Sequence, residues 1–259
     1  MSKRKLSIQF SLDGFSFCIS NFNDETYQFT SYTFEEKSNS PEAILENLKD
    51  IFKKDASLQD DFETVQVIHQ NNLNSFVPTT YFKEDALKSY LKFNIRTITT
   101  DLIVYDDLEE LDCKNVYIPY VNINNFLFQN FGEFEYKHHS TLLVQKLVSV
   151  SNANSSFYIH VNESFFDIVV INEQKLTFYN SFEFTSKEDF IYYTLFTLEQ
   201  LKIDPDTIQV TLLGDINDQS ELYQIAYKYI RNCHFLKVDT SIVDAEKGLY
   251  QHSNFILLG

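Results

Sequence analysis

Residues 7–19 read Ser7-Ile8-Gln9-Phe10-Ser11-Leu12-Asp13-Gly14-Phe15-Ser16-Phe17-Cys18-Ile19. Ile8, Phe10 and Leu12 alternate with polar residues, Asp13-Gly14 marks a turn, and Phe15, Phe17 and Ile19 resume the alternation. That pattern predicts two antiparallel strands joined as a hairpin. Tyr27 to Phe34 adds a third strand. Ser40 as N-cap and Pro41 at the first helical position then open a helix, whose Ile44, Leu45, Leu48, Ile51 and Phe52 form one apolar stripe ending at Lys53-Lys54. Thr64-Val65-Gln66-Val67-Ile68 closes the unit with a fourth strand. The same order returns later. Phe157 to Val161, a turn at Asn162-Glu163, Phe165 to Val170 and Leu176 to Phe182 predict three more strands. Ser186 caps a helix with Glu188 and Asp189 in its first turn, Lys202-Ile203-Asp204-Pro205 stops it, and Thr207-Ile208-Gln209-Val210 echoes the earlier closing strand. Pairing Ser11 with His160, Ser40 with Ser186 and Thr64 with Thr207 keeps a nearly constant register. The chain therefore reads as an α/β protein made of duplicated β-β-β-α-β units.

The material between the copies is neither Gly/Ser-rich nor of low complexity, so it is an insertion rather than a linker. Residues 1–150 are expected to form a first lobe with an inserted subdomain around 72–110, and residues 151–259 a second. Phe76-Val77-Pro78 leads into a helix over Tyr81 to Asn94, where Phe82, Ala86, Leu87, Tyr90 and Leu91 have helical spacing. Ile98 to Tyr105 and Asn115 to Tyr120 predict strands, Asn122 to Phe131 a helix ended by Gly132, Phe134 to His138 a strand, and Thr141 to Ser149 a helix. At the far end come a helix over Glu221 to Arg231 and a strand over His234 to Val238.

Composition narrows the function classes. With 37 Asp and Glu against 21 Lys and Arg the formal charge is −16, which argues against nucleic acid and anionic membranes as partners. The chain has only five glycines, at 14, 132, 214, 248 and 259, with no G-x-G and no G-x-x-x-x-G-K. A Rossmann fingerprint and a P-loop are both excluded. Cys18, Cys113 and Cys233 show no C-x-x-C spacing, so no disulfide framework and no metal site is expected. The basic start Met1-Ser2-Lys3-Arg4-Lys5 is followed by alternation rather than a signal-peptide core, and no apolar run reaches the roughly 18 residues of a membrane span. A cytoplasmic protein without membrane insertion is the expectation.

The duplicated unit, with an insertion in its first copy, resembles the actin-like ATPase superfamily, whose two-lobed fold is ribonuclease H-like. Ser7 to Ile19, Phe76-Val77-Pro78 and His138-His139-Ser140-Thr141-Leu142-Leu143 are more closely similar to a bacterial family of uncharacterised proteins, a domain of unknown function, with that fold. The resemblance implies a cleft site built from the hairpin turns: an Asp after the first strand to order magnesium, a Gly two residues later to meet phosphate, and paired glycines after the last strand for adenosine. In this sequence those positions fall on Ser11 and Asp13, with Asp13-Gly14 in a shifted register, then on His160 and Asn162, and finally on Leu212-Leu213-Gly214-Asp215-Ile216. The candidate cleft residues are accordingly Ser11, Asp13, Gly14, His160, Asn162, Gly214 and Asp215. The missing glycines and the added carboxylates oppose a nucleotide. The expectation is a pseudo-ATPase without catalytic residues or cofactor, acting as a binding or scaffold module for an unknown protein partner. The competing reading is an ATPase or small-molecule kinase using ATP and magnesium at an atypical phosphate site.

Other groupings read as structural. Adjacent strand residues point to opposite faces, so His138 and His139 are not expected to share an ion; Ser140 reads as the cap of the following helix and His160 as a hydrogen-bonded turn residue. Asp60-Asp61 and Asp106-Asp107-Leu108-Glu109-Glu110 read as solvated loops. Phe190, Tyr192, Tyr193 and Phe196 surround the second repeat helix, which suits a helix packed on both sides or one at a partner interface.

Overall fold

The computed structural model describes residues 4–21, 26–34, 40–151, 155–237 and 252–257, and its chain divides into two compact units, residues 1–142 with 257–259 and residues 143–256. In the first unit β1 (Arg4–Phe10) and β2 (Gly14–Asn21) form the expected hairpin, with Phe10 opposite Phe15, and β3 (Thr26–Thr33) adds to β2. Helix α1 (Pro41–Lys54) starts where Ser40 Oγ accepts the Ala43 amide at 3.3 Å, and β4 (Thr64–His69) returns parallel to β1. Leu6, Ile8 and Phe10 alternate onto the sheet face that receives Ile44, Leu48 and Phe52 of α1, and all six side chains are buried in one core.

The insertion differs from its sequence reading in three places. β5 (Asn74–Pro78) is followed by two short 3₁₀ turns and only five α-helical residues, α2 (Leu87–Leu91), instead of one helix over residues 81–94. Apolar spacing of 3.6 was present, but the Tyr90 hydroxyl takes the Lys83 amide and donates to the Tyr81 carbonyl, which holds the first turns in a non-α path. The strand expected over residues 98–105 is β6 (Val104–Leu108), which pairs with β7 (Cys113–Tyr117). Asp106 and Asp107, read as a solvated loop, thus lie in a strand. Asp60 does lie at the surface, bonded to Arg4 at 2.8 Å. Helix α3 (Val121–Phe131) ends at Gly132 with φ +74°, and β8 (Glu135–His138) joins β4 in parallel. Helix α4 (His139–Val150) begins two residues before the expected Thr141 and carries the chain from one unit to the other.

In the second unit β9 (Ser156–Val161), β10 (Phe165–Asn172) and β11 (Lys175–Glu183) form an antiparallel meander. Helix α5 (Lys187–Gln200) follows, and β12 (Gln209–Gly214) pairs in parallel with β9. Helix α6 (Glu221–Tyr229) leads to β13 (Asn232–Phe235), parallel to β12; Val238, included in the expected strand, lies outside the described residues. The strand orders are β3-β2-β1-β4-β8 and β11-β10-β9-β12-β13, so the duplication extends to a fifth strand in each sheet. Phe157, Ile159, Phe166 and Ile168 pack with Phe190 and Leu198 of α5 in the second core. The three thiols are withdrawn from solvent: Cys18 and Cys113 are buried and Cys233 half-buried, and burial pushes Cys113 up to about 11 and Cys233 up to about 12.

Candidate functional site

In the first unit the turn after β1 is closed by Ser11. Its Oγ accepts the amides of Asp13 at 3.1 Å and Gly14 at 3.2 Å, and its own amide donates to the Gly14 carbonyl at 2.9 Å. A short hydroxyl side chain can satisfy neighbouring backbone amides in this way. Gly14 is required by the sheet, since a Cβ there would stand 2.7 Å from the Tyr32 carbonyl oxygen of β3. At the end of β4, His69 is fully buried; its Nδ1 accepts the Tyr120 amide at 3.1 Å, so the proton sits on Nε2 and is donated to Asn124 Oδ1 at 2.9 Å. Burial holds this imidazole down at about 3, opposed by the Asn124 hydrogen bond.

The second unit brings His160, Asn162, Gly214 and Asp215 to one end of its sheet, where Gly214 is opposite Val161 and Leu213 opposite His160. Gly214 has φ +86°, and a Cβ would stand 2.2 Å from the Val161 carbonyl oxygen, so only glycine fits. Its amide donates to the His252 carbonyl at 3.0 Å, and the Asp215 amide donates to the Val161 carbonyl at 2.8 Å. His252 Nε2 lies 2.8 Å from the Ile216 carbonyl oxygen, and its ring stacks on Phe235 at 4.8 Å. Lys146 of α4 holds the same segment by donating to the carbonyls of Phe255 and Ile256, at 2.9 and 2.8 Å. His252 thus lies against the backbone after β12, a placement that no local sequence pattern announces.

Strand register corrects one pairing. Phe10 stands opposite Phe15 and His69, and Val161 opposite Phe166 and Gly214, so Ser11 corresponds to Asn162 and not to His160. The Asp and Gly positions implied by the resemblance become Asn162 and Ser164 in the second copy. Neither is an acid or a glycine. His160 is a strand residue of β9, not part of the turn, with Nδ1 3.1 Å from Asp167 Oδ2. Asp167 also accepts the hydroxyls of Tyr179, at 2.8 Å, and Ser181. Sequence reading passed over Asp167, although an acid inside Phe165-Phe166-Asp167-Ile168-Val169-Val170 is itself a signal that the strand buries a polar partner.

A second buried polar cluster joins the insertion to β8 and α4. Asp106 Oδ2 accepts the His138 amide at 2.9 Å and the Thr141 hydroxyl at 2.6 Å, while Oδ1 accepts the Tyr117 hydroxyl at 3.1 Å. Burial raises its pKa, and these three hydrogen bonds act in the opposite direction. Asn115 Nδ2 donates to Ser140 and Thr141, and its Oδ1 accepts from Asn74 at 2.9 Å. His138 Nδ1 faces the Ser140 hydroxyl at 2.7 Å and its Nε2 lies 3.1 Å from Asn71 Oδ1. Ser140 does not cap α4 as expected: its amide donates to His138 Nδ1 at 3.3 Å, so the imidazole serves the helix start. Serine and histidine meet here at the distance of a nucleophile and its base, yet His138, Ser140 and Thr141 have no solvent exposure. The arrangement anchors β8 and the start of α4 to the insertion.

Among solved structures the chain is similar to a Bacteroides thetaiotaomicron VPI-5482 protein with an actin-like ATPase fold and unknown function, at TM-score 0.81, 24% identity and 91% coverage of each chain. It is also similar to the PilM-PilN type IV pilus biogenesis complex, at TM-score 0.64 and 10% identity over 98% of this chain and 96% of that one. Ethanolamine utilization protein EutJ from Carboxydothermus hydrogenoformans matches at TM-score 0.50 and 7% identity, over 91% and 85% of the two chains. The fold is therefore that of the actin-like ATPases. A family described as "Protein of unknown function (DUF3822)" matches residues 1–233, and no curated protein matches the sequence.

Proposed function

The chain belongs to the DUF3822 family, and from that premise we propose that it is a cytoplasmic, non-catalytic binding or scaffold protein, using an actin-like fold without nucleotide chemistry. The observation that carries this reading is the use of the turn amides. A phosphate site needs several backbone N–H groups aimed outward at the anion. Here the amides of Asp13 and Gly14 are bound to Ser11 Oγ, and those of Gly214 and Asp215 to the carbonyls of His252 and Val161. Within each unit, an anion at the turn would have to displace two internal hydrogen bonds, beside the Asp13 carboxylate in the first and the Asp215 carboxylate in the second.

A protein is the proposed ligand. The charge of −16 disfavours polyanions, and no helix among the described residues is long and apolar enough to cross a membrane. The PilM-PilN complex supplies one case of an assembly containing this fold. Isothermal titration with magnesium-ATP tests the reading, with no heat of binding expected. Micromolar binding that disappears in Asp13→Ala would overturn the non-catalytic reading and promote the ATPase or kinase alternative.

A further inference from the structure

Helix α5 is apolar on two opposite sides. Phe190, Ile191, Thr194 and Leu198 are buried, as one stripe of a 3.6-residue repeat requires. Tyr192, Leu195, Phe196 and Glu199, at i, i+3, i+4 and i+7, share the other side, with Glu188 one turn before Tyr192. Tyr192 is 60% and Phe196 43% exposed, and their rings stack at 6.1 Å. Beside them runs a groove of about 430 Å³ lined by Leu195, Leu198, Ile203 and Pro205, with Glu199 and Lys202 on its rim. Leu195, Leu198 and Glu199, on one face of the last turns of α5, form one wall of the groove, and Lys202 to Pro205 of the following loop form the other.

We propose that this outer side of α5 docks an amphipathic helix of a partner protein, one whose apolar residues are flanked by lysine or arginine. The proposal names a surface for the binding role given above and rests on that reading. A helix suits a groove walled by one helix face beside two exposed aromatic rings. The basic flank follows from charge: Glu188, Glu199 and Asp204 are exposed around the patch against Lys202, while Lys187 is engaged by Glu221 at 2.7 Å. A second copy of this chain would bring its own charge of −16 to the same face, a repulsion screened only beyond about 8 Å at physiological salt.

The test is fluorescence anisotropy of the full chain with a labelled synthetic helix, patterned from leucine and lysine, and with its leucine and glutamate counterpart. Binding of the lysine peptide alone is expected, weakened about tenfold or more in Tyr192→Ser/Phe196→Ser. Glu188→Lys/Glu199→Lys is expected to weaken it as well, with circular dichroism unchanged for both variants. The proposal fails if the lysine peptide does not bind, if both peptides bind alike, or if the aromatic substitutions have no effect. It also fails if sedimentation shows the wild-type chain to be a dimer that the aromatic substitutions dissociate, since the occupant is then a second copy. A magnesium-ATP titration of the same preparation separates the two failures: nucleotide binding overturns the non-catalytic reading and leaves the peptide result to decide α5.

Discussion

Asp106 and His69 show how a buried polar residue sets a unit's response to mutation and to pH. Asp106 accepts from the His138 amide and from the hydroxyls of Thr141 and Tyr117, so Asp106→Ala strands three buried donors. A loss of about 2–5 kcal/mol is expected, with Asp106→Asn milder because an amide oxygen still accepts; urea denaturation midpoints compare them. His69 behaves differently. Its folded pKa of about 3 lies below the ordinary 6.5, so the neutral ring stabilises the fold fully above pH 6.5 and that contribution is lost as pH falls toward 3. Protonation puts a hydrogen on Nδ1, where the Tyr120 amide already donates. Between pH 6.5 and about 5, above most carboxylate titrations, His69 should contribute a fall of about 1 kcal/mol per pH unit, added to the smaller falls from His234 and His252, whose pKa values burial also lowers. His69→Gln should flatten that slope in thermal unfolding; an unchanged slope would remove His69 from the explanation. Neither residue was legible in the sequence as a network member, because their partners, Asn124, Tyr117 and Thr141, are distant in the chain and carry no shared spacing.

At the scale of elements, legibility followed the range of the interactions that decide each one. The two hairpins and the two repeat helices were readable because alternation and capping are encoded within a few residues. Ser186 and Asp189 even form a reciprocal capping box, whereas Ser40 has Ala43 at the equivalent position and only a 3.3 Å bond. Ser186→Ala should therefore cost about 1 kcal/mol and Ser40→Ala less, measured as shifts in the urea midpoint; equal shifts would argue against the box. The insertion was misread where local pattern and tertiary context disagree. Asp106 sits in β6 because partners from β7, β8 and α4 supply the hydrogen bonds water would otherwise provide, a compensation no local pattern announces. The strand Glu135–His138 was found, yet its last histidine took the capping role assigned to Ser140.

For the whole molecule, the sequence disclosed the duplication and the actin-like fold, since both rest on the order of elements. It did not disclose how His252 lies against the end of β12, because Gly214 and His252 meet through backbone groups that any residue carries. Of the seven candidate residues, Ser11, Asp13 and Gly14 share one turn and His160, Asn162, Gly214 and Asp215 share one sheet end, each within its own unit. The withdrawn thiols lead in another direction. Thiolate is the species that reacts; Cys113 and Cys233, raised to about 11 and 12, stay almost entirely protonated near neutral pH, and Cys18 is shielded by burial. The folded protein should give little colour with Ellman's reagent at about pH 7.5 and the full response of three cysteines once denatured; prompt reaction of the folded chain would contradict this. The wild-type sequence is then already a quiet background for maleimide chemistry, so Phe196→Cys would carry a spectroscopic label at one chosen place without prior removal of the native cysteines.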